Sequence, residues 1–174
     1  MIRERRAADL EPLCAIVETL QACAGFLPGR DPRSWLVEHE AEVSWVFDMA
    51  PVTVAPTTNV VGHVQVHLPV RRRTAGDPVA EPDQTPDGRV AELVIGRLFV
   101  RPQKHDLGIA RFLLREAVRL VRDRGAVPVL HLEENALPTT FLERFGFRDL
   151  GPADPGAMVL PAEVLATKRS RRRS

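Results

Sequence analysis

The sequence predicts a single mixed α/β domain, of the α+β kind, in which helices flank a mixed sheet. The clearest sign is the segment 90–124, where an apolar strand, a short turn with one glycine and a long amphipathic helix follow one another. A second sign is the order of the other elements, since strand-like segments at residues 44–48 and 60–68 are neighbours in the chain. A doubly wound sheet would alternate strands and helices more strictly.

Length and composition fit one domain with an ordinary core. The chain has 174 residues, of which 44% are hydrophobic and 27% are charged, and these fractions are typical of globular proteins. No apolar run approaches the roughly 20 residues of a membrane span. The first residues are charged and contain no signal-peptide core, so we expect a cytoplasmic protein.

We expect the domain to cover residues 1–165 and to be followed by a basic, disordered tail at residues 166–174. The tail carries five positive charges in a chain whose net charge is +1, so the body is net negative. A solvated tail is the simplest interpretation, and the alternative is an arm that binds RNA, DNA or an acidic partner. Residues 71–89 are rich in Pro, Gly and Asp, which predicts a long mobile loop, either an insertion or a lid.

The N-terminal part predicts a short strand, a helix that Asp9 caps, and a second helix at residues 34–42 that Ser34 or Asp31 caps. Between the helices lies a turn-rich segment whose Phe26 is a candidate for the mouth of a substrate pocket. The two cysteines form no disulfide framework, and no Cys/His cluster has zinc spacing. We therefore expect no metal.

The turn that opens the long helix has the features of an anion site. Gly108 and Ala110 stand where this helix begins. The first N–H groups of a helix have no intrahelical partner, and the helix dipole points the same way, so a phosphate is favoured there. A single glycine is a weak signal, because an ordinary strand-to-helix connection has the same spacing. The turn predicts a phosphate-bearing cofactor without identifying it.

Two motifs in order resemble the GNAT superfamily of acyl-CoA N-acyltransferases. The positions that match motif A, Val-x-Pro-x-x-[Arg/Gln]-Gly-x-Gly-x-[Gly/Ala], are Val100, Pro102, His105, Asp106, Gly108 and Ala110. His105 stands at the usual Arg or Gln, and Asp106 stands at a common Gly. Residues 127–147 resemble motif B, a strand followed by Asn135 and a short helix that ends in Gly-Phe.

The resemblance implies a GNAT-like fold with a central, mostly antiparallel, splayed sheet flanked by helices. In that fold the pantetheine arm of acetyl-CoA, the co-substrate, lies between the two motif strands and bonds to exposed backbone. The implied cofactor-binding residues are Leu98, Phe99, Val100, His105, Asp106, Leu107, Gly108, Ile109, Ala110, Arg111, Asn135 and Phe141.

The resemblance also implies an N-acetyltransferase whose acceptor is a primary amine of a small molecule, a peptide N-terminus or a lysine. Glu92 is the first candidate for the general base, Glu133 the second and His131 the third. Counting by twos places Glu92 on the face of Leu98, and a bulge at Gly96 would reverse that assignment.

Other functions stay open at this point. The motif B helix has Leu142 where the family often has a Tyr that protonates the leaving thiolate, and the chain contains no tyrosine. A degenerate member that binds acyl-CoA without catalysis is therefore one alternative. A nucleic-acid-associated acetyltransferase that uses the basic tail is another, although no aromatic residues interleave with the arginines. A homodimer is one candidate assembly.

Overall fold

The computed structural model describes residues 1–50, 59–69, 92–102 and 107–161. Within these ranges seven strands form one sheet in the order β1-β2-β3-β4-β5-β7-β6. The strands are β1 (Ile2–Glu4), β2 (Ala41–Asp48), β3 (Val60–His67), β4 (Glu92–Val100), β5 (Val127–His131), β6 (Arg148–Asp149) and β7 (Ala157–Val159). The helices are α1 (Leu10–Ala24), α2 (Pro32–Val37), α3 (Leu107–Asp123) and α4 (Thr139–Phe145).

Neighbouring strands run antiparallel except β4 and β5, which run parallel. This arrangement confirms the predicted mixed, mostly antiparallel sheet. The predicted loop at residues 71–89, the tail at residues 166–174, and His105 and Asp106 lie outside the described residues.

Helix α3 covers one face of the sheet. Its buried residues recur at three- and four-residue steps, and Ile109, Leu113 and Ala117 pack in one core with residues of β3 and β4. Burial of such a stripe, rather than helix propensity alone, holds an amphipathic helix in place. No helix in the described ranges is long and apolar enough to cross a membrane.

Helices α1 and α2 cover the opposite face. Leu13 and Val17 of α1 pack with Trp35 of α2 and with Phe99 of β4 in a second core. The sheet therefore has an α3 side and an α1 side, and β4 contributes to both cores.

Two predictions for the N-terminal region need correction. The second helix ends at Val37 rather than residue 42, because β2 begins at Ala41 and pairs along β3. The Asp31 carboxylate caps this helix and accepts the Ser34 N–H at 2.7 Å. Asp9 does not cap α1 through its side chain. Its buried carboxylate instead accepts hydrogen bonds from the Arg3 side chain and the Arg6 N–H.

Candidate active site

Strands β4 and β5 pair at their first three positions and then separate. Their register runs from Glu92 opposite Val127 to Val94 opposite Val129. Beyond that point Asn135 bridges the gap. Its Oδ1 accepts the Leu98 N–H at 2.9 Å, and the Ala136 N–H donates to the Leu98 carbonyl at 3.0 Å. The gap is thus closed at Leu98 by the segment that follows β5.

A β-bulge lies in β4 at this same point. Gln65 of β3 faces Gly96 while His63 faces Phe99, so β4 has one residue more than β3 between these pairs. Arg97 takes a left-handed backbone conformation with φ of 52°, which is uncommon for a residue with a side chain. The extra residue reverses the alternation of β4.

The bulge decides which side of the sheet each part of β4 serves. Leu98 packs in the α3 core and Phe99 in the α1 core. Glu92 and Val94 line a cavity that Trp35 of α2 also lines. Glu92 therefore lies on the face opposite Leu98, and the simple count by twos is wrong at this strand.

The main-chain groups of Val100 face the open part of the gap. The Arg101 N–H donates to Val61 of β3 at 2.8 Å, whereas the Leu98 N–H is directed away from β3 toward Asn135. Because successive residues of a strand point their N–H and C=O groups to opposite edges, Val100 shares the direction of Leu98. This is the edge that β5 has left.

Helix α3 begins beside the end of β4. Gly108 is exposed, while Ile109 and Ala110 are buried against the sheet. The Arg111 guanidinium lies 5.9 Å from the ring centroid of Phe141, which is itself buried in the α3 core. The first turn of a 17-residue helix thus offers main-chain donors, with an arginine and an aromatic ring nearby.

A cavity of about 1280 Å³ occupies the α1 side of the sheet. Its apolar walls include Phe26 and Leu27, as expected for Phe26, together with Trp35, which is also a core residue with 2% exposure. The carboxylates among its described lining residues are Glu38, Glu92, Glu133, Glu134 and Asp154. Arg30 is the one lysine or arginine among the described residues that line it.

One side chain of α1 ties down the wall that carries Phe26 and Leu27. The Gln21 amide donates to the Leu27 carbonyl at 2.9 Å and to the Arg30 carbonyl at 2.8 Å. The left-handed Gly25 ends α1 just before this loop. The loop between α1 and α2 is therefore held at both of its ends.

Five polar side chains meet at the floor of the cavity, and we call them the cavity cluster: Glu38, His39, His67, Arg97 and Glu134. Arg97 is fully buried, and its guanidinium lies 3.2 Å from Glu134 Oε2 and 3.2 Å from Glu38 Oε2. Its Nε donates to the Trp35 carbonyl at 2.8 Å. The bulge residue thus joins α2, β4 and the segment after β5.

His67 lies between two hydrogen-bond acceptors. Its Nδ1 lies 2.8 Å from the Leu68 carbonyl and its Nε2 lies 3.2 Å from Glu134 Oε2. Burial alone would raise the pKa of Glu134, but the His67 hydrogen bond and the charges of His67 and Arg97 outweigh it and lower that pKa. Glu134 is therefore the ionised carboxylate of the cluster near pH 7.

His39 differs from the other members of the cluster. Its ring lies against that of His67, with centroids 4.7 Å apart, and its Nε2 is 4.0 Å from Glu134 Oε1. Burial, followed by the charges of Arg97 and His67, lowers the pKa of His39. Its side chain is 18% exposed and lines the cavity. His39 is therefore a neutral imidazole at the cavity surface near pH 7.

Gly96 makes room for this cluster. A Cβ at position 96 would overlap Glu134 Oε2 and would stand 3.0 Å from His67 Nε2. Below the cluster, the buried His63 holds the bulge, since its Nδ1 lies 2.9 Å from the Arg97 carbonyl and its Nε2 lies 2.9 Å from Ser44 Oγ. A neutral imidazole satisfies both contacts when Nδ1 donates to the carbonyl and Nε2 accepts from the hydroxyl.

The splayed strands, the bulge and the helix that follows match a known family. The model of the acetyltransferase (GNAT) family matches residues 14–147. This chain belongs to the GNAT acetyltransferase family. No curated protein sequence matches it significantly.

Solved structures of GNAT acetyltransferases share the fold. A GNAT family acetyltransferase from Brucella melitensis, in complex with acetyl-CoA, is 18% identical with a TM-score of 0.58, over 93% of this chain and 87% of that one. A GNAT acetyltransferase from Staphylococcus aureus Mu50 is 16% identical with a TM-score of 0.61, over 88% and 87%. NAA60 from Arabidopsis thaliana, in complex with a bisubstrate analogue, is 17% identical with a TM-score of 0.60, over 92% and 97%.

The residues predicted as general bases all lie at the cavity but outside the cavity cluster. Glu92 is exposed at the start of β4 and Glu133 is exposed in the 3₁₀ turn after β5, and both line the cavity, as does His131. None of the three belongs to the cavity cluster. Glu134, the neighbour of Glu133, is the carboxylate that the turn directs into the cluster.

His39, His67, Glu134 and Arg97 are not among the site residues predicted from the sequence. One signal was present for Arg97, since the isolated Gly96 interrupts the apolar run of β4, and an isolated glycine inside a strand suggests a bulge. The ligand atoms of His39, His67 and Glu134 lie within 4.8 Å of one another, close enough to hold a metal ion. The Arg97 guanidinium beside Glu134 opposes a second cation there.

Proposed function

We propose that this GNAT protein is an N-acetyltransferase that moves an acetyl group from acetyl-CoA to a primary amine by direct attack. The main support for the proposal is that two features meet at the bulge in β4. On one side, the gap between β4 and β5 has the main-chain groups of Val100 facing it. On the other side, a cavity with a surplus of carboxylates reaches the same strand.

The cofactor side of the proposal rests on β4 and α3. Val100 would bond the pantetheine arm through its main-chain groups, while Leu98 would have to exchange its bonds to Asn135 and Ala136 to do so. The first main-chain donors of α3 suit a diphosphate. The other proposed contacts are Phe99, His105, Asp106, Leu107, Gly108, Ile109, Ala110, Arg111, Asn135 and Phe141. The acetyl-CoA complex of the Brucella melitensis protein supports this ligand.

The acceptor side of the proposal rests on charge. Five carboxylates and one arginine are among the described residues that line the cavity, and the buried Arg97 lies against two of those carboxylates. The carboxylates still outnumber these two arginines, so the field of the cavity attracts cations and repels anions. An amine in water is mostly an ammonium ion near neutral pH. A small amine, a peptide N-terminus and a lysine side chain all meet this requirement, whereas a carboxylate or phosphate acceptor does not.

The chemistry then needs a base and a tolerable leaving group. Glu92 and Glu133 stay candidates for the base because both line the cavity. No tyrosine is available to protonate the leaving thiolate. A thiol of pKa about 8.5 leaves well enough near neutral pH for water to complete the step. A cytoplasmic location and a homodimer stay predictions.

The first experiment measures the melting temperature with and without acetyl-CoA on a CoA-free preparation. Ligand at a hundredfold its Kd should stabilise the protein by about 2.7 kcal/mol, or roughly 5–10 °C. Thiol release with a panel of amines, alcohols and acids then tests the acceptor class. No shift at millimolar ligand would overturn the cofactor assignment, and a shift without thiol release from any amine would favour the degenerate acyl-CoA-binding alternative.

A further inference from the structure

We propose that His39 is the general base that takes the proton from the acceptor amine, and that His67 is a positioning residue that holds it neutral and in place. The proposal rests on the proposed function, because it assigns the proton acceptor of that same transfer. It stands on the geometry of the cavity cluster, which brings together four segments of the chain.

The surroundings of His39 favour its neutral form. Glu134 and Glu38 are carboxylates, and the Arg97 guanidinium lies 3.2 Å from each of them. Burial, followed by the charges of Arg97 and His67, outweighs the opposing effect of Glu134 and Glu38 and lowers the pKa of His39. A proton on His39 would add a charge beside Arg97, which is unfavourable in a partly buried site.

The carboxylates of the cluster are poorly suited to take a proton themselves. Glu134 already accepts from both His67 and Arg97 at 3.2 Å. Glu38 accepts from Arg97 at 3.2 Å and from Arg30 at 2.8 Å. A base that works near neutral pH needs a pKa near that of histidine rather than that of a paired carboxylate.

The surroundings of His39 also hold its side chain at the surface of the cavity. It lies in the short link between α2 and β2, and its carbonyl accepts the Gln65 side-chain amide at 3.1 Å. Its ring rests on the buried His67, which is 2% exposed. A residue fixed at its backbone and on one ring face can present Nε2 or Nδ1 to an acceptor without reordering.

The proposed step transfers one acetyl group and removes two protons from the acceptor nitrogen. The acceptor enters as an ammonium ion, and His39 removes one proton from it. The free amine attacks the thioester carbonyl, a C–N bond forms, and the C–S bond breaks with the electron pair leaving on sulfur. The second nitrogen proton passes through water to the thiolate, so that an amide and a free thiol result and His39 returns its proton to solvent.

The test compares His39→Gln with the exposed neighbour variant Glu40→Gln. We expect His39→Gln to lower kcat/KM for the best amine by about 10²–10⁴-fold at pH 7, while the melting shift with acetyl-CoA stays unchanged. The remaining activity of His39→Gln should rise about tenfold per pH unit, because the fraction of the acceptor that is a free amine rises at that rate below the pKa of the ammonium ion. Imidazole should restore activity to His39→Ala. Glu40→Gln should match the wild type.

The positioning role of His67 is tested by a measurement that a simple loss of packing would leave unchanged, namely the pH profile of kcat/KM. The charge of His67 lowers the pKa of His39, together with burial and Arg97, while Glu134 and Glu38 act in the opposite direction. His67→Gln should therefore shift the acid limb of the kcat/KM profile to higher pH. A lower rate with an unmoved limb would overturn the positioning role.

Other outcomes separate this proposal from the one it rests on. A wild type that releases no thiol with any amine overturns both. A wild type that turns over while His39→Gln keeps its rate, or while Glu92→Gln alone acquires the steep pH dependence, overturns only the assignment of His39. Activity that a chelator abolishes and zinc restores would overturn the base in favour of a metal on His39, His67 and Glu134.

Discussion

Two charge clusters in this molecule differ in how completely their members are paired. At the β1 edge of the sheet, Arg3 binds Asp9 at 2.7 Å and Asp48 at 2.8 Å. The remaining oxygen of Asp48 accepts the N–H groups of Ala50 and Asn59 at 2.9 and 3.0 Å. In the cavity cluster the corresponding contacts are 3.2 Å or longer, and one imidazole stays neutral.

This difference in pairing indicates a different role for each cluster. A cluster with short bonds on every charge is rigid, and removal of one member leaves a buried charge without compensation. A cluster with longer contacts beside an open cavity has a group that can still accept a proton. We expect the edge cluster to affect stability alone and the cavity cluster to affect turnover as well.

The largest expected effect on stability is at the edge cluster. Asp9→Asn should lower the free energy of unfolding by about 3 kcal/mol, the low end for breaking a buried pair, because Asp48 still holds Arg3. The melting temperature should fall by about 10 °C. Glu11→Gln is the matched control, since Glu11 is 89% exposed and lies 3.7 Å from Arg33. Equal losses of stability in Asp9→Asn and Glu11→Gln would contradict the importance given to the edge cluster.

A smaller effect on stability is expected at Gly96, with an added effect on rate. Gly96→Ala should cost about 2 kcal/mol through overpacking against Glu134 and His67, and should lower kcat/KM by displacing Glu134. Adding Glu134→Asp shortens the carboxylate, so the double variant should recover stability relative to the sum of the singles. Chemical denaturation of the four proteins measures this coupling. A fully stable and active Gly96→Ala would contradict the crowding.

The smallest effect is a pH dependence of stability that comes from His63, below the cavity cluster, and not from the edge cluster. Burial lowers the pKa of His63 to about 3, so His63 stays neutral in the folded protein at a pH of about 6.5, where it gains a proton in the unfolded chain. The free energy of unfolding is therefore highest above that pH and decreases as the pH falls. Urea melts should show a loss of about 1.3 kcal/mol from pH 7 to pH 5.5 due to His63, and His63→Gln should lack it.

The edge cluster does not titrate in that window. Burial alone would raise the pKa of Asp9, but hydrogen bonds from Arg3 and the Arg6 N–H outweigh it, so the pKa is lowered. A carboxyl with a lowered pKa keeps its contribution above the unfolded value and loses it only in more acidic solution. An Asp9→Asn protein that lost the slope between pH 7 and pH 5.5 would contradict this separation.

The sequence predicted the elements whose signals are local. The strand, turn and helix of motif A repeat apolar residues at fixed steps, and β4 and α3 appear where those steps place them. The helix expected to run to residue 42 is wrong, because pairing of β2 with β3 outweighs local helix preference after Val37. Strand pairing is a contact between distant segments, and one segment alone does not reveal it.

The candidate site was harder to predict because its members come from four separate segments. His67 and Glu134 are 67 positions apart in the chain and meet only in the folded sheet. Glu133 was named as a residue of the motif B strand, whereas β5 ends at His131 and a 3₁₀ turn at Leu132–Glu134 follows it. Arg97 reaches the cluster only because the bulge adds a residue to β4.

Gln21 has a consequence for the thermodynamics of ligand capture. Its two hydrogen bonds fix the loop that carries Phe26 and Leu27 before any molecule enters the cavity. A mobile wall would lose conformational freedom at the moment of binding, and that loss would subtract from affinity. Here two hydrogen bonds already hold the loop in the folded chain, so we expect an incoming acceptor to keep more of its contact energy as binding strength.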